Sequence, residues 1–211
     1  GESNADARKA VEYGELLKGL AEDWRASFGN IPLVIVQLAN YMQRHEDANY
    51  HSGWTAIRNE QRKAAHFVIP NCGLAAAIDV GEWHDIHPWR KKDVAQRCAL
   101  QMRRLYLGDK TPNYEGPAYE SVKFEDGKAI LSFRAGTDTF DPSLSTGLKG
   151  FKIAGADGKF YWADARIEGN KVIVSSPNVK EPKVVRYAWD DDPEISLFGV
   201  TGLPAAPFTT E

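Results

Sequence analysis

The pattern of apolar residues changes near Gly108, and this change limits the fold more than any other feature of the chain. Before Gly108, stretches with helical spacing alternate with short apolar runs at 33–36 and 73–78. After it, short strand-like runs are separated by turn dipeptides. The first pattern is typical of an open α/β sheet and the second of an antiparallel β structure. We therefore predict an α/β region over residues 1–108 and a β-rich accessory region over 109–211.

Capping and stop residues predict three helices in the α/β region. The first ends near Gly29, the second begins after Ser52 and ends before Pro70, and the third runs from Lys91 to Gly108. We expect 33–36 to be a buried strand. On the first helix the side predicted to face inward carries Val11, Leu16, Leu17, Leu20, Trp24 and Phe28. On the third helix it carries Val94, Cys98, Met102 and Leu105.

Turn dipeptides predict three hairpins in the second region. Asp126-Gly127 and Asp157-Gly158 lie between strand-like runs and are strong hairpin signals, whereas Gly169-Asn170 is a weaker one. A last strand is predicted at 184–189, followed by an irregular tail. This succession of hairpins predicts an antiparallel, sandwich-like region.

Composition excludes several classes of function. The 211 residues carry a formal net charge of −3. The sequence lacks a basic patch interleaved with aromatic residues, so it does not favour a nucleic-acid partner. No apolar run approaches the roughly 20 residues that a membrane helix needs. Cys72 and Cys98 lack the spacing of a metal site; they allow one disulfide, although two half-buried thiols are the favoured interpretation.

The segment Asp85-Ile86-His87-Pro88 follows the second predicted strand and precedes the third helix. In open α/β sheets, ligands bind beyond the carboxyl ends of the strands, where this loop is expected to lie. Histidine transfers protons near neutral pH, and a neighbouring carboxylate can fix its tautomer. The loop is therefore the strongest candidate for an active site.

Segments distributed in a fixed order along nearly the whole chain resemble the sialate O-acetylesterase family. They are Gly1-Glu2-Ser3-Asn4; Asp23-Trp24-Arg25; Val36-Gln37-Leu38-Ala39-Asn40-Tyr41; Trp54 with Arg58 and Gln61; Asp85-Ile86-His87-Pro88 with Lys91 and Asp93-Val94; Val185-Arg186-Tyr187-Ala188-Trp189; and Gly202-Leu203-Pro204-Ala205-Ala206-Pro207-Phe208. The resemblance implies a serine esterase of the SGNH type that removes acetyl groups from sugars without a cofactor. It also implies the C-terminal portion of a flavodoxin-like catalytic domain, followed by a β accessory region.

In this family the nucleophilic serine belongs to a block upstream of the segment matched by Gly1 to Asn4. The resemblance therefore implies that an N-terminal segment of the same protein supplies the serine. His87 is implied as the general base, and Asp85 either orients it or only holds the loop, because His84 occupies the position where many such enzymes carry the acid. The family's glycan substrates suggest a secreted, periplasmic or lysosome-like location.

The remaining candidate residues have alternative interpretations. Asn4, with Gly1 in the same block, resembles the part of the family that completes the oxyanion hole, although Asn also caps helices. Gln61 and Arg58 either line the sugar site or serve the fold. The aromatic residues that either stack on sugar rings or fill a β core are Tyr161, Trp162 and Trp189.

Two other functions remain open for the sequence. Acidic and histidine residues crowd one short stretch and could bind a divalent ion: Asp79, Glu82, His84, Asp85 and His87. No second cluster supplies further ligands at a recognisable spacing, so no metal is predicted. The other alternative is a noncatalytic carbohydrate-binding protein whose β half binds glycan.

Overall fold

In the computed structural model, residues 1–6, 8–111 and 113–211 are described, and this part of the chain contains three α-helices and ten strands. The helices are α1 (Tyr13–Phe28), α2 (Gly53–Lys63), which a π-helical segment (Ala64–Val68) continues, and α3 (Lys91–Leu107). Short 3-10 turns at Glu2–Asn4 and Lys9–Val11 precede α1. The strands are β1 (Leu33–Val36), β2 (Cys72–Ala75), β3 (Tyr119–Glu125), β4 (Lys128–Phe133), β5 (Phe151–Ala154), β6 (Phe160–Trp162), β7 (Asp164–Glu168), β8 (Lys171–Ser175), β9 (Val184–Tyr187) and β10 (Phe208–Thr209).

The predicted helix boundaries are confirmed, and local side chains explain them. Gly29 ends α1 with a positive φ of 78°, a conformation that glycine adopts without steric cost. Ser52 starts α2 through a capping box, because its hydroxyl accepts a hydrogen bond from the Thr55 backbone N–H and the Thr55 hydroxyl accepts one from the Ser52 N–H. Before α1, Asp6 accepts hydrogen bonds from the backbone N–H groups of Arg8 and Lys9.

The strands β1 and β2 form a parallel two-stranded sheet in which Leu33 pairs with Cys72 and Val36 with Ala75. Every residue of β2 is buried. The predicted burial of β1 is wrong, because its residues are only half-buried and Val36 is exposed. Within the described residues β1 pairs with β2 alone, so its other side has no covering strand.

Side chains of α3 cover the side of β2 that faces away from β1. The Gln101 amide donates to the Leu74 carbonyl at 2.9 Å, Arg97 Nη1 to the Ala76 carbonyl at 2.6 Å, and Arg104 Nη2 to the Cys72 carbonyl at 3.2 Å. The carbonyls of Asn71 and Ala75 point the other way, toward β1, where they accept the N–H groups of Leu33 and Gln37. Carbonyls along this stretch therefore alternate between the β1 side and the α3 side. The outer edge of β2 is therefore closed to a further strand.

The predicted inward sides of α1 and α3 are partly wrong. On α3 the buried residues are Arg97 and Gln101, because this helix contacts strand carbonyls with donors, whereas Met102 is exposed. On α1 only Ala21 is buried. Most apolar residues predicted to face inward on the first helix are exposed instead: Val11, Leu16, Leu20, Trp24 and Phe28.

The ten strands include two antiparallel four-stranded sheets, ordered β3-β4-β8-β7 and β10-β9-β5-β6. All three predicted hairpins are confirmed, by the pairs β3–β4, β5–β6 and β7–β8. One core cluster joins inward residues of both sheets, among them Leu131, Val174, Phe151 and Tyr187. The antiparallel region is therefore a two-sheet sandwich, and the expected irregular tail contributes the short strand β10 to it.

An acidic segment, Asp190–Asp192, connects the sandwich to the loop that follows β1. Asp191 accepts hydrogen bonds from the Tyr50 hydroxyl at 2.6 Å and the Ser52 hydroxyl at 2.5 Å. Asp192 Oδ1 accepts from the Asn40 amide at 2.8 Å. The polar residues of this loop are thus committed largely to holding the two regions together.

Two further expectations concern segments that the structure describes. Cys72 and Cys98 are free thiols, as the favoured interpretation predicted. Over the described ranges, no helix has the length and apolar composition required to cross a bilayer.

Candidate active site

A pocket of about 520 Å³ lies along β1 and beyond its carboxyl end. Apolar side chains of α1 and β1 form one wall, and the loop containing Ile86, His87 and Pro88 forms another. The loops after β1 and β2 meet here, because the Gly81 N–H donates to Asn40 Oδ1 at 2.7 Å. A Cβ at Gly81 would collide with the Asn40 backbone, so glycine permits the close approach of these loops. The position agrees with the rule for ligand sites in open α/β sheets.

The imidazole of His87 is largely open to solvent, with 85% of its side chain exposed. Its Nδ1 lies 3.8 Å from Asp85 Oδ1, beyond hydrogen-bond distance. The same carboxylate oxygen instead accepts the His87 backbone N–H at 2.8 Å. Of the two predicted roles for Asp85, the geometry favours the one in which it holds the loop.

Glu2 and Gly1 also line this pocket. The pKa of the Glu2 carboxyl is lowered, first because a backbone N–H donates to it and next because the Gly1 ammonium lies 3.1 Å from its Oε2, while His87 has the smallest effect. Glu2 is therefore a carboxylate that lines the same pocket as His87.

Gln61 connects α2 to the end of β1 at the pocket wall. Its Oε1 accepts the Leu38 N–H at 2.9 Å, and its Nε2 donates weakly to the Val36 carbonyl at 3.4 Å. A Cβ on Gly1 would lie 3.0 Å from the Tyr13 hydroxyl and 3.1 Å from Gln61 Nε2. Burial raises the pKa of the Tyr13 hydroxyl at this wall.

Two predicted site residues do not line the pocket. Asn4 lies in the 3-10 turn that begins at Glu2, and its backbone N–H donates to the Gly1 carbonyl at 3.0 Å. Arg58 is fully buried, with 0% of its surface exposed. Its guanidinium donates to the carbonyls of Leu38, Ala39, Asp190 and Asp191. For Arg58 this geometry favours the structural alternative over contact with a sugar.

The acidic and histidine residues around His87 do not converge. The carboxylate of Asp79 forms a two-point ion pair with Arg97, at 2.5 and 2.7 Å. His84 Nε2 and Glu82 Oε2 are 3.9 Å apart. Across residues 1–6, 8–111 and 113–211, no three His, Cys, Asp or Glu side chains are arranged to hold a metal ion. The metal alternative therefore gains no support from the geometry.

Comparison with known proteins agrees with the resemblance carried by the sequence. No protein-family model matches the chain. The chain is 28% identical to the sialate O-acetylesterase of Mus musculus over 100% of its own length, and 27% identical to that of Homo sapiens over 99%. Its structure superimposes on a carbohydrate acetylesterase from Xanthomonas citri with a TM-score of 0.92, at 36% identity and over 100% of the chain.

These comparisons support a sialate O-acetylesterase-like family for the chain. It spans 43% of the Mus musculus enzyme, 44% of the Homo sapiens enzyme and 48% of the Xanthomonas citri chain. It thus corresponds to slightly less than half the length of these relatives. The mixed α/β architecture with antiparallel sheets is that of the Xanthomonas citri structure.

One wall of the pocket that contains His87 was not predicted from the sequence. Besides Glu2 and Lys91, that wall contains residues that recur at three- and four-residue spacing along α1: Tyr13, Leu17, Leu20, Ala21 and Trp24. The spacing was visible as an amphipathic stripe. It was assigned to the core because an apolar stripe on a helix usually packs inward, and only the structure shows that it borders a pocket.

Proposed function

We propose that this chain is the histidine-bearing part of a carbohydrate O-acetylesterase, which removes acetyl groups from sialic acid or related acetylated glycans. The observation that carries the proposal is the position of His87. It shares one pocket with the Gly1–Glu2 block beyond the carboxyl end of β1, in a chain whose relatives are named as sialate and carbohydrate acetylesterases.

The proposed reaction is a two-step acyl transfer through a serine. The serine hydroxyl attacks the acetyl carbonyl while His87 accepts its proton. His87 then gives that proton to the sugar oxygen as the acetyl C–O bond breaks, so that the sugar leaves with a free hydroxyl. Water, deprotonated by His87, hydrolyses the acetyl-serine and releases acetate. Gly1 lines the pocket, and Asn4 ends the 3-10 turn that follows it. Both are proposed to donate hydrogen bonds to the developing oxyanion, with the Asn4 amide turned toward the pocket in the full-length protein. Because Asp85 Oδ1 accepts the His87 backbone N–H, Glu2 or a group from another segment is proposed to orient the His87 imidazole.

We propose that the serine lies on a segment that joins the sheet next to β1. The outer edge of β2 is occupied by Gln101, Arg97 and Arg104, so the sheet has room to grow on the β1 side only. Because Leu33 and Gln37 donate their N–H groups toward β2, those of Val34 and Val36 face that open side. A parallel strand there would cover the exposed side of β1 and end beside His87.

The substitution His87→Ala in the full-length protein tests the proposed function. Loss of the general base is expected to lower acetate release from an acetylated sugar by about a thousandfold, with the unfolding midpoint unchanged because the side chain is exposed. Acetate release and denaturant unfolding are the two measurements.

The matched control is His84→Ala, which removes an exposed histidine that does not line the pocket. It is expected to keep activity within a few-fold of the parent. Hydrolysis by the His87→Ala protein at a similar level would overturn the assignment. A parent protein that binds acetylated glycan without releasing acetate would instead support the noncatalytic alternative.

A secreted, periplasmic or lysosome-like location is also proposed, on the basis of the family resemblance and its glycan substrates. The substrate is acetylated sugar, and neither nucleic acid nor membrane is proposed as a partner.

A further inference from the structure

A second concave site lies on the sandwich, away from His87. This groove has a volume of about 400 Å³ and lies between the loop at 44–46, strands β5 and β6, and the segment that follows β9. It shares no lining residue with the pocket that contains His87. We call it the Trp162 groove, after the aromatic residue in its wall.

The indole of Trp162 is held in position but remains accessible. Its Nε1 donates to the Glu46 carbonyl at 2.9 Å, which fixes the plane of the ring. The Lys152 ammonium lies 4.7 Å from the ring centroid and donates to the Trp189 carbonyl at 3.0 Å. Lys152 is itself buried, whereas 44% of the Trp162 surface is exposed. An aromatic side chain that is oriented before a ligand arrives loses little entropy on binding.

The charged groups around the groove largely compensate one another. Lys149 Nζ lies 2.9 Å from Glu194, and His45 Nδ1 lies 2.9 Å from the Asp190 carboxylate. Arg44 donates to the Asp192 carbonyl at 2.9 Å. Asp164 also lines the groove. Lys152 also lines the groove, but its ammonium is buried, donates to the Trp189 carbonyl and lies over the Trp162 ring. The solvent-facing cations of the groove are paired among the described residues and give little electrostatic preference for a carboxylate or a phosphate, whereas the carboxylates and amines of the groove can hydrogen-bond hydroxyl groups.

We propose that the Trp162 groove binds a neutral pyranose ring, with the ring stacked on Trp162 and its hydroxyls hydrogen-bonded to Asp164, Glu194 and Lys149. The C–H face of a pyranose carries partially positive hydrogens, which complement the negative face of an aromatic ring. The groove would then bind one sugar of a glycan while the acetylated sugar of the same glycan lies at His87. The expectation that the ligand is a glycan rests on the proposed function. Sugar binding in the Trp162 groove, however, does not require hydrolysis and can be measured separately.

The test measures sugar binding directly in the full-length protein. Cellohexaose, xylohexaose and mannohexaose serve as neutral probes and free sialic acid as the anionic one, and the indole N–H signal of Trp162 is followed by NMR. At least one neutral probe is expected to shift that signal in a saturable way. Trp162→Ala is expected to weaken its binding by about tenfold or more, and Tyr106→Ala, which removes an exposed aromatic residue outside the groove, to leave binding unchanged.

Trp162→Phe keeps an aromatic platform and is expected to retain binding within a few-fold, which covers the case that the alanine variant does not fold. Failure of every neutral probe to shift the Trp162 signal, or a response to sialic acid alone, would overturn the proposal. Acetate release is measured separately. A protein that hydrolyses acetylated sugar through His87 but binds no neutral probe would reject the groove and leave the proposed function standing.

Discussion

Arg58 is the residue on which the two regions of the molecule converge. Its guanidinium donates to the Asp190 carbonyl at 2.6 Å and the Asp191 carbonyl at 2.8 Å on the sandwich side, and to the Ala39 carbonyl at 2.6 Å after β1. Burial lowers its pKa to about 9, against the opposing effect of Asp191. Arginine suits this position because its planar donors reach several carbonyls at once.

Replacement of Arg58 by methionine is expected to destabilise the full-length protein by about 3 kcal/mol, because buried carbonyls and the acidic segment lose their donor. Arg58→Lys keeps the charge but not the planar fork, and we expect it to recover only part of that loss. The measurement is the free energy of unfolding in denaturant.

The matched control is Arg166→Met, since Arg166 is exposed and pairs only with Glu168 among the described residues. Its effect is expected to stay within about 0.5 kcal/mol. Equal stability of the Arg58→Met and parent proteins would mean that Arg58 does not hold the regions together.

Residues of the site differ in how far sequence could predict them. The segment around His87 has a local signature and falls on the pocket, so its location followed from chain order. The partner of His87 did not, because the 3.8 Å gap to Asp85 depends on a backbone turn. The position of Glu2 opposite the loop depends on contacts between segments more than eighty residues apart.

At the scale of elements, the small parallel sheet has two unlike edges. The α3 side chains close the edge of β2, while β1 remains open beside the apolar stripe of α1. Sequence predicted both strands and all three helices from period and caps. It did not predict which face of α3 is buried, because Arg97 and Gln101 are polar and become buried only where strand carbonyls accept their hydrogen bonds.

The open edge leads to a prediction about α1. Leu20 lines the pocket and is 45% exposed in this chain. If another segment covers β1 and α1 in the full-length protein, Leu20→Lys should cost about 2 kcal/mol of unfolding free energy, because a charge would be buried there.

Leu107→Lys provides the comparison, since Leu107 ends α3 at 70% exposure and lines none of the described pockets. We expect that substitution to be nearly neutral. Similar small effects for both variants in denaturant unfolding would argue against a segment that covers α1.

At the scale of the whole molecule, the sandwich and the α/β region are linked through buried polar contacts. His66 Nε2 lies 3.1 Å from Glu115, which Arg134 also contacts at 3.2 Å. Burial by itself would raise the pKa of Glu115, but His66 and Arg134 outweigh it and the pKa is lowered. Together with Arg58 and the acidic segment, these contacts fix the sandwich against the α/β region.

Expression of the 211-residue chain alone tests the proposal that the serine and His87 lie on different segments of the enzyme. The chain is expected to release no acetate from acetylated sugars and to bind an apolar dye through α1 and β1. Addition of a separately produced serine-bearing segment is expected to restore acetate release. Turnover by a purified monomer of this chain alone would show that the serine proposal is wrong.

Sequence by itself determined the elements and their order, because helical spacing, capping residues and turn dipeptides act over a few residues. It also carried the family resemblance and located the loop of His87. Tertiary structure alone decided that Asp85 accepts the His87 backbone N–H rather than contacting the ring, that Arg58 anchors two regions, and which edge of the sheet stays open. These features depend on burial and on hydrogen bonds between distant segments, and neither quantity is encoded in local spacing.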